Sequence, residues 1–522
     1  MDRGRGARAA VVGLLFALPV CAFFVTRGIP LEWRGMGSDE VLKVDLLVVV
    51  YTSTAGGSTT AQDITALQRE VAEAREFFWR NSRLVVDLAI EYMYIDEYLP
   101  ENRFLEAPWG GYWLPPSDVN PYDGEIASVE QDLRARGVRD DQYDGIVVFY
   151  AWDTAILPAA YGGTTFGVDY GFLGCTGYTD IPLCWDPLTW SWYFVHEFNH
   201  QVDSMLEYSG YPAFQSPDLP WTLAGDFGEN YDYNAFLMRL LDRDAWGCLA
   251  RKGWGRIVSV VDSDSDGVPD GGDFPLTEAS FGSSPANPDT DGDGLGDLDE
   301  ILAGIFTSSD PLVMDTDGDG IVDGLDPYPL YPVDARASPG IFDLGNDYDL
   351  GTVGWLLDAS NITAPETFQN ISLAATWNAT GLNLIGRFPD TIDRFTVHVD
   401  MNNDGWFHGR DNVEIDVHLD TQSMVLRIWA SDPEVIAALG VPVWDDEPRY
   451  LVRFERVIEP SCVTLVTWDD GAYAGIKIRF QWNMAGVTRF GLLVKGNRNA
   501  GQPCEQWLFE ENVLLDVDVV GA

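Results

Sequence analysis

The residues with the clearest chemistry are His196, Glu197 and His200, which stand as His-Glu-Phe-Asn-His within an aromatic, apolar run that begins at Trp192. On a helix the four-residue step puts His196 and His200 on one face, one turn apart, so both imidazoles reach a single Zn²⁺. Glu197 sits beside that face. It takes a proton from water at the metal while the metal polarises a carbonyl, which is the division of labour that hydrolyses a peptide bond. Histidine is scarce, at five in 522 residues. Residue frequencies therefore give a chance match to this pattern in well under about one such chain in a hundred.

A catalytic zinc takes three protein ligands and leaves a fourth position to water. After His200 the chain reads Gln201-Val202-Asp203-Ser204-Met205-Leu206. A metzincin needs glycine at 203 and histidine or aspartate at 206, so that subclass is excluded. The motif resembles the gluzincin type of zincin metallopeptidase, in which a second helix, some tens of residues on, supplies a glutamate. The resemblance implies Glu229, at the entrance of a helical pattern over 234–241, as third ligand. Asp226, Asp232 and Asp203 are rivals, and Asp203 equally suits a hydrogen-bonding role behind a ligand imidazole. Enhancin-like peptidases, some of which cut mucin-type glycoproteins, tolerate the same gap, which implies a protein or glycoprotein substrate.

The elements that must position this helix lie in a first regime, 40–258. Residues 41–51 form a β-branched run fit for a buried strand, and 63–79 has helical spacing with an acidic start. Strand character returns at 84–95 and 145–151, with a helix over 124–137 presenting Ile126, Val129 and Leu133 on one face. A glycine-bearing segment at 160–166 suits an edge strand. This order resembles the N-terminal part of a zincin-like catalytic domain of α/β (α+β) class, where the edge strand binds extended substrate.

From 259 to 335 the composition turns to Asp, Gly and Pro, in three in-phase repeats. Asp262, Asp264, Asp266, Asp270 and Asp273 occupy positions 1, 3, 5, 9 and 12 of a loop with Gly267 at position 6. Asp289, Asp291, Asp293, Asp297 and Glu300 repeat the pattern, and Asp315, Asp317, Asp319, Asp323 and Asp326 repeat it again. Alternate oxygen ligands with a glycine at the sharp turn are the requirements of a Ca²⁺ loop. The wording Asp-Thr-Asp-Gly-Asp-Gly resembles thrombospondin type 3 repeats, which implies a calcium-ordered linker.

From 336 to 522 short alternating strands recur, the pattern of an antiparallel β-sandwich. The stretches 377–384, 399–406 and 411–414 resemble carbohydrate-binding modules of family 9, which implies a glycan or cell-surface ligand. Asp400, Asn402, Asp404 and Asp411 have calcium spacing, with Glu414 an alternative closing ligand, and read as a structural site.

The N-terminus, 1–27, pairs Arg3, Arg5 and Arg8 with an apolar run over 9–25, an export signal or an uncleaved membrane anchor. The expected place is outside the cytoplasm, secreted or anchored. Export permits disulfides, and Cys175 with Cys184 and Cys462 with Cys504 are the expected pairs, leaving Cys248 over. Sequons at Asn361, Asn370 and Asn378 agree with an exposed glycoprotein surface. With 82 acidic against 32 basic residues the net charge is −50, which repels phosphate backbones and excludes nucleic acid as a partner. No pair of carboxylates stands out as a glycosidase dyad. The expectation is a multidomain zinc metalloendopeptidase with calcium-stabilised accessory domains. Its rival is a non-catalytic, calcium-dependent surface or adhesion protein on a degenerate zincin scaffold.

Overall fold

A computed structural model describes residues 36–106, 112–115, 119–120, 124–125, 129–153, 156, 164–166, 173, 177–183, 190–209, 238, 241, 243–302, 309–326 and 329–330, then strands and short turns between 335 and 519. The chain is a multidomain protein of mixed α/β character with several sheets, some of them antiparallel.

The first sheet has strands β1 (Glu40–Tyr51), β2 (Val86–Ile95), β3 (Gly145–Ala151), β4 (Thr164–Phe166), β5 (Gly177–Leu183) and β6 (Arg256–Ser259). β1 runs parallel to β2 on one side and to β3 on the other, and β5 runs parallel to β3. β4 lies antiparallel on the outside of β5, and β6 pairs antiparallel with the first residues of β1. Alternation along β1 explains its position at the centre. Leu42, Val44, Leu46, Val48 and Val50 enter one core, and Leu47, Val49 and Tyr51 the other, so both faces of the strand are buried.

Helix α1 (Ala61–Asn81) crosses from β1 to β2 and starts at a capping box, Thr60 Oγ1 accepting from Asp63 N–H at 3.2 Å while Asp63 accepts from Thr60 N–H at 2.6 Å. On the opposite face α2 (Val129–Ala135) inserts Val129 and Leu133. This helix is shorter than the pattern over 124–137 implies, because Gly124–Glu125 pairs as a short strand with Val119–Asn120. Helix α3 (Trp190–Ser209) packs beside α1 in the first core, and α4 (Arg243–Arg251) follows it. Cys248 is buried on α4, its sulfur accepting from Arg251 Nη2 at 3.1 Å. Cys175, Cys184, Cys462 and Cys504 lie outside the described residues.

The acidic repeats form three stacked loops with two short helices, α5 (Glu278–Phe281) and α6 (Asp297–Leu302). The first two dock on α1 through a third core of Val41, Trp79, Leu84, Val268, Ile301 and Leu302. Trp79 stacks on Phe274 at 4.9 Å and donates from Nε1 to the Leu276 carbonyl at 2.9 Å.

Eleven further strands form one continuous ladder: β7 (Ala335–Pro339), β8 (Ser372–Asn378), β9 (Gly381–Pro389), β10 (Arg394–Asp400), β11 (Asn412–His418), β12 (Ser423–Trp429), β13 (Arg453–Val457), β14 (Val463–Asp469), β15 (Tyr473–Gln481), β16 (Arg489–Asn499) and β17 (Trp507–Val519). The recurring short strands expected over 336–522 are thus present. Every pairing is antiparallel except at β7, whose first half pairs in parallel with β17 and whose last two residues pair in parallel with β8. A strand that changes partners in this way is how sheets turn a corner.

Candidate metal centres

Helix α3 buries Phe194, Val195, Phe198, Val202, Met205 and Leu206, and this apolar face sets its rotation against the sheet. His196 is then 7% exposed and His200 half-buried, with ring centroids 5.0 Å apart and planes at 88°. Burial lowers the His200 pKa to about 4, so the ring is the neutral imidazole that binds metals. Glu197, between them in sequence, is 3% exposed. Two imidazoles one helical turn apart are donors suited to zinc, and Glu197 beside them has the place of a base and not of a ligand.

Gln201 seats this helix. It is fully buried, and its Nε2 donates to the Ile146 carbonyl at 3.2 Å and to Thr179 Oγ1 at 2.8 Å. Thr179 in turn donates to the Glu197 carbonyl at 3.4 Å. The close approach needs glycine on the sheet. A Cβ at Gly145 would meet Gln201 Oε1 at 2.8 Å and Phe198 at 2.9 Å, and one at Gly177 would meet Gln201 Cδ at 2.9 Å. From the α1 side, Phe78 meets Phe198 edge to face at 5.3 Å, and Ser191 Oγ donates to the buried Glu70 at 2.8 Å. None of these seating residues was evident in the sequence, where Gln201 reads as one more polar position.

Asp203 is half-buried on α3, three residues past His200. Glu229, Asp226 and Asp232 lie outside the described residues, as do Asn402, Asp404 and Asp411; Asp400 is fully buried at the end of β10.

The three acidic loops share one wiring. The aspartate at position 1 accepts from backbone N–H groups three and five residues on, as in Asp289 with Gly292 at 2.7 Å and Gly294 at 3.2 Å. Position 3 takes the N–H of position 5, and position 5 that of position 7. These bonds gather the carboxylates of Asp262, Asp264 and Asp266, of Asp289, Asp291 and Asp293, and of Asp315, Asp317 and Asp319, each trio offering oxygens within 4.8 Å of one another. In each trio the position 3 aspartate keeps one buried oxygen without a hydrogen bond. The position 9 residues Asp270, Asp297 and Asp323 use both oxygens on the N–H and hydroxyl of position 2 and thereby close the turn.

At position 12, Glu300 and Asp326 are buried. Glu300 accepts from Ser309 Oγ at 3.0 Å, and Asp326 faces Arg489 at 3.4 Å. Asp273 departs from the expected scheme: its side chain is 93% exposed and turns toward Arg75 at 4.0 Å, so it does not close its loop. Burial, then neighbouring carboxylates, raise Glu300 to about 8, Asp266 and Glu278 to about 7 and Asp317 to about 6.

No protein-family model matches the chain, and no curated protein matches it. Among solved structures it is similar to a carbohydrate-binding module of family 9 from Caldicellulosiruptor kristjanssonii in complex with glucose. The TM-score is 0.23 at 10% identity, over 36% of this chain and 95% of that one. The same module in complex with cellotriose gives 0.22 at 10%, over 36% and 94%. A likeness this slight carries no argument about ligand, and the strand pairing alone defines the C-terminal domain.

Proposed function

We propose that the chain is an exported zinc metalloendopeptidase acting on extracellular proteins or glycoproteins. The observation that carries this reading is the pair of His196 and His200 rings on one face of α3, with Glu197 beside them, in a helix wedged against a sheet. The edge position of β4, antiparallel and in contact with the α3 side of the sheet, supports a zincin-like domain in which extended substrate adds to that edge. His196 and His200 would hold the metal, with Glu229 as third ligand and Asp226, Asp232 and Asp203 as rivals. Zinc, when bound, supplies Lewis acidity to a peptide carbonyl and to water.

The chain's own part is proton handling and position. Glu197 takes a proton from water as its oxygen bonds to the carbonyl carbon, then passes it to the nitrogen as the C–N bond breaks. The neutral state of His200 leaves its ring nitrogen lone pair available, and Gln201 with Thr179 holds the turn of helix that carries Glu197. The acidic loops bind Ca²⁺ and stiffen the linker, and the C-terminal strands form a β-sandwich that holds the enzyme on a glycan or cell surface. Elemental analysis tests the site: one zinc per purified chain, lost in His200→Ala, is expected. A wild-type chain reconstituted with zinc that retains none would overturn it.

A further inference from the structure

The first acidic loop lacks the closing ligand that its repeat pattern assigns to Asp273. Five residues later Glu278 is 1% exposed, and neither of its carboxylate oxygens has a hydrogen-bond partner. One of those oxygens lies within 4.8 Å of oxygens from Asp266 and Asp297. A buried carboxylate facing other carboxylates without a donor is costly unless a cation shares the site. The sequence carries a matching signature. Glu278-Ala-Ser-Phe-Gly282 has the same offset from glutamate to glycine as Glu300-Ile-Leu-Ala-Gly304, and Glu300 is the closing residue of the second loop. Glu300 too keeps one buried oxygen without a partner.

We propose that the first loop is a calcium-class divalent cation site formed by Asp262, Asp264 and Asp266 and closed by Glu278, with Asp297 tying it to the second loop. This rests on the calcium reading of the repeats and changes its ligand set at one position. Oxygen ligands from an acidic loop plus a glutamate are the hard donors that Ca²⁺ selects.

The five-residue displacement of the closing ligand gives the intervening segment another role. The Asp273 carbonyl accepts from Arg75 at 3.0 Å and from Lys43 at 3.4 Å, and both cations also hold the buried Asp87. Phe274 stacks on Trp79, and the Leu276 carbonyl takes the indole N–H. Residues 273–276 therefore clamp α1, and Glu278 anchors the end of the clamp. Trp79 adjoins Phe78, whose ring meets Phe198 of the histidine helix. A cation held by Glu278 steadies the clamp and, through α1, the helix that carries His196 and His200.

The test is calcium titration of the metal-free full chain by calorimetry, comparing wild type, Glu278→Gln and Asp273→Asn. Glu278→Gln is expected to lose one equivalent or weaken one site by at least about tenfold, and Asp273→Asn to keep all wild-type sites. Limited proteolysis in calcium is expected to cut within 259–276 faster in Glu278→Gln. In chelator the same variant should melt at or above wild type, because it removes a buried charge; this separates a lost ligand from a lost fold. Unchanged calcium binding by Glu278→Gln would overturn the proposal and leave the calcium reading standing. A wild-type chain that binds no calcium would overturn both.

Discussion

Gly177→Ala tests how the histidine helix is held. The backbone at Gly177 lies in a strand, in register with Gly145, so alanine meets no conformational penalty there. It does meet Gln201, whose Cδ and Cγ would stand 2.9 and 3.0 Å from the new methyl, with Oε1 nearer still. Gln201 cannot swing aside, because it is fully buried and tied to Ile146 and Thr179. Overpacking of this kind costs about 1–3 kcal/mol. The loss of unfolded-chain freedom on replacing glycine returns about 0.4–1 kcal/mol. The net expectation is a destabilisation of about 1–2 kcal/mol, read as a lower urea midpoint in far-UV circular dichroism of the full chain. In a Gln201→Ala background the clash has no partner and the cost should disappear, giving a coupling of about 1 kcal/mol or more in the double-mutant cycle. An equal cost in both backgrounds, or none in either, would refute the account of the seat.

Three further outcomes follow from the loops and their docking. Ser265 holds the left-handed φ of 68° that Gly292 and Gly318 supply in the other two loops, at 82° and 78°. Ser265→Gly should therefore raise stability by about 0.5–1 kcal/mol, and an unchanged or lower melting temperature would refute the strain. Trp79→Phe should cost about 2 kcal/mol, for a hydrogen bond and part of an indole in a buried site, and should speed cleavage within 259–276; an unchanged cleavage rate would refute the clamp. Glu300, Glu278, Asp266 and Asp317 have folded pKa values raised to between about 6 and about 8, above those of the free side chains. In chelator their stability contribution is thus present at acid pH and lost as pH rises through that window. The gain in melting temperature from calcium should be largest near pH 8 and shrink toward pH 5, and a constant gain would contradict it. His200 runs the other way: its lowered pKa means stability is lost as pH falls from about 6.5 to about 4.

What the sequence made legible were the segments whose period matches their burial. The β-branched run of β1, the helical spacing and acidic start of α1, and the C-terminal strands all announce themselves. Strand β5 did not, because Gly177, Asp180 and Pro182 punctuate it. The structure accommodates each: Gly177 admits Gln201, Asp180 is buried and accepts from Leu114 N–H at 2.9 Å, and Pro182 lies beyond the reach of β4, which pairs only Tyr178 to Asp180. The helix pattern over 124–137 failed at its start because local hairpin pairing took Gly124–Glu125. At the loops, the aspartates at positions 1, 3 and 5 of each repeat are brought together as their alternate spacing implies. Position 12 of the first repeat does not join them: the Asp273 side chain is on the surface, and the buried carboxylate nearby in sequence is Glu278, five residues on. The histidine pair was plain from spacing, but its support by Gln201, Thr179 and two glycines is a long-range packing relation that spacing does not encode.

The most direct test of the peptidase reading compares wild type with Glu197→Gln, both loaded with zinc to the same stoichiometry, on a denatured protein substrate. Removing the general base while keeping the metal should lower the cleavage rate by about 10²-fold or more. Equal cleavage by the two proteins would contradict the assignment of Glu197, and with it the proposed chemistry.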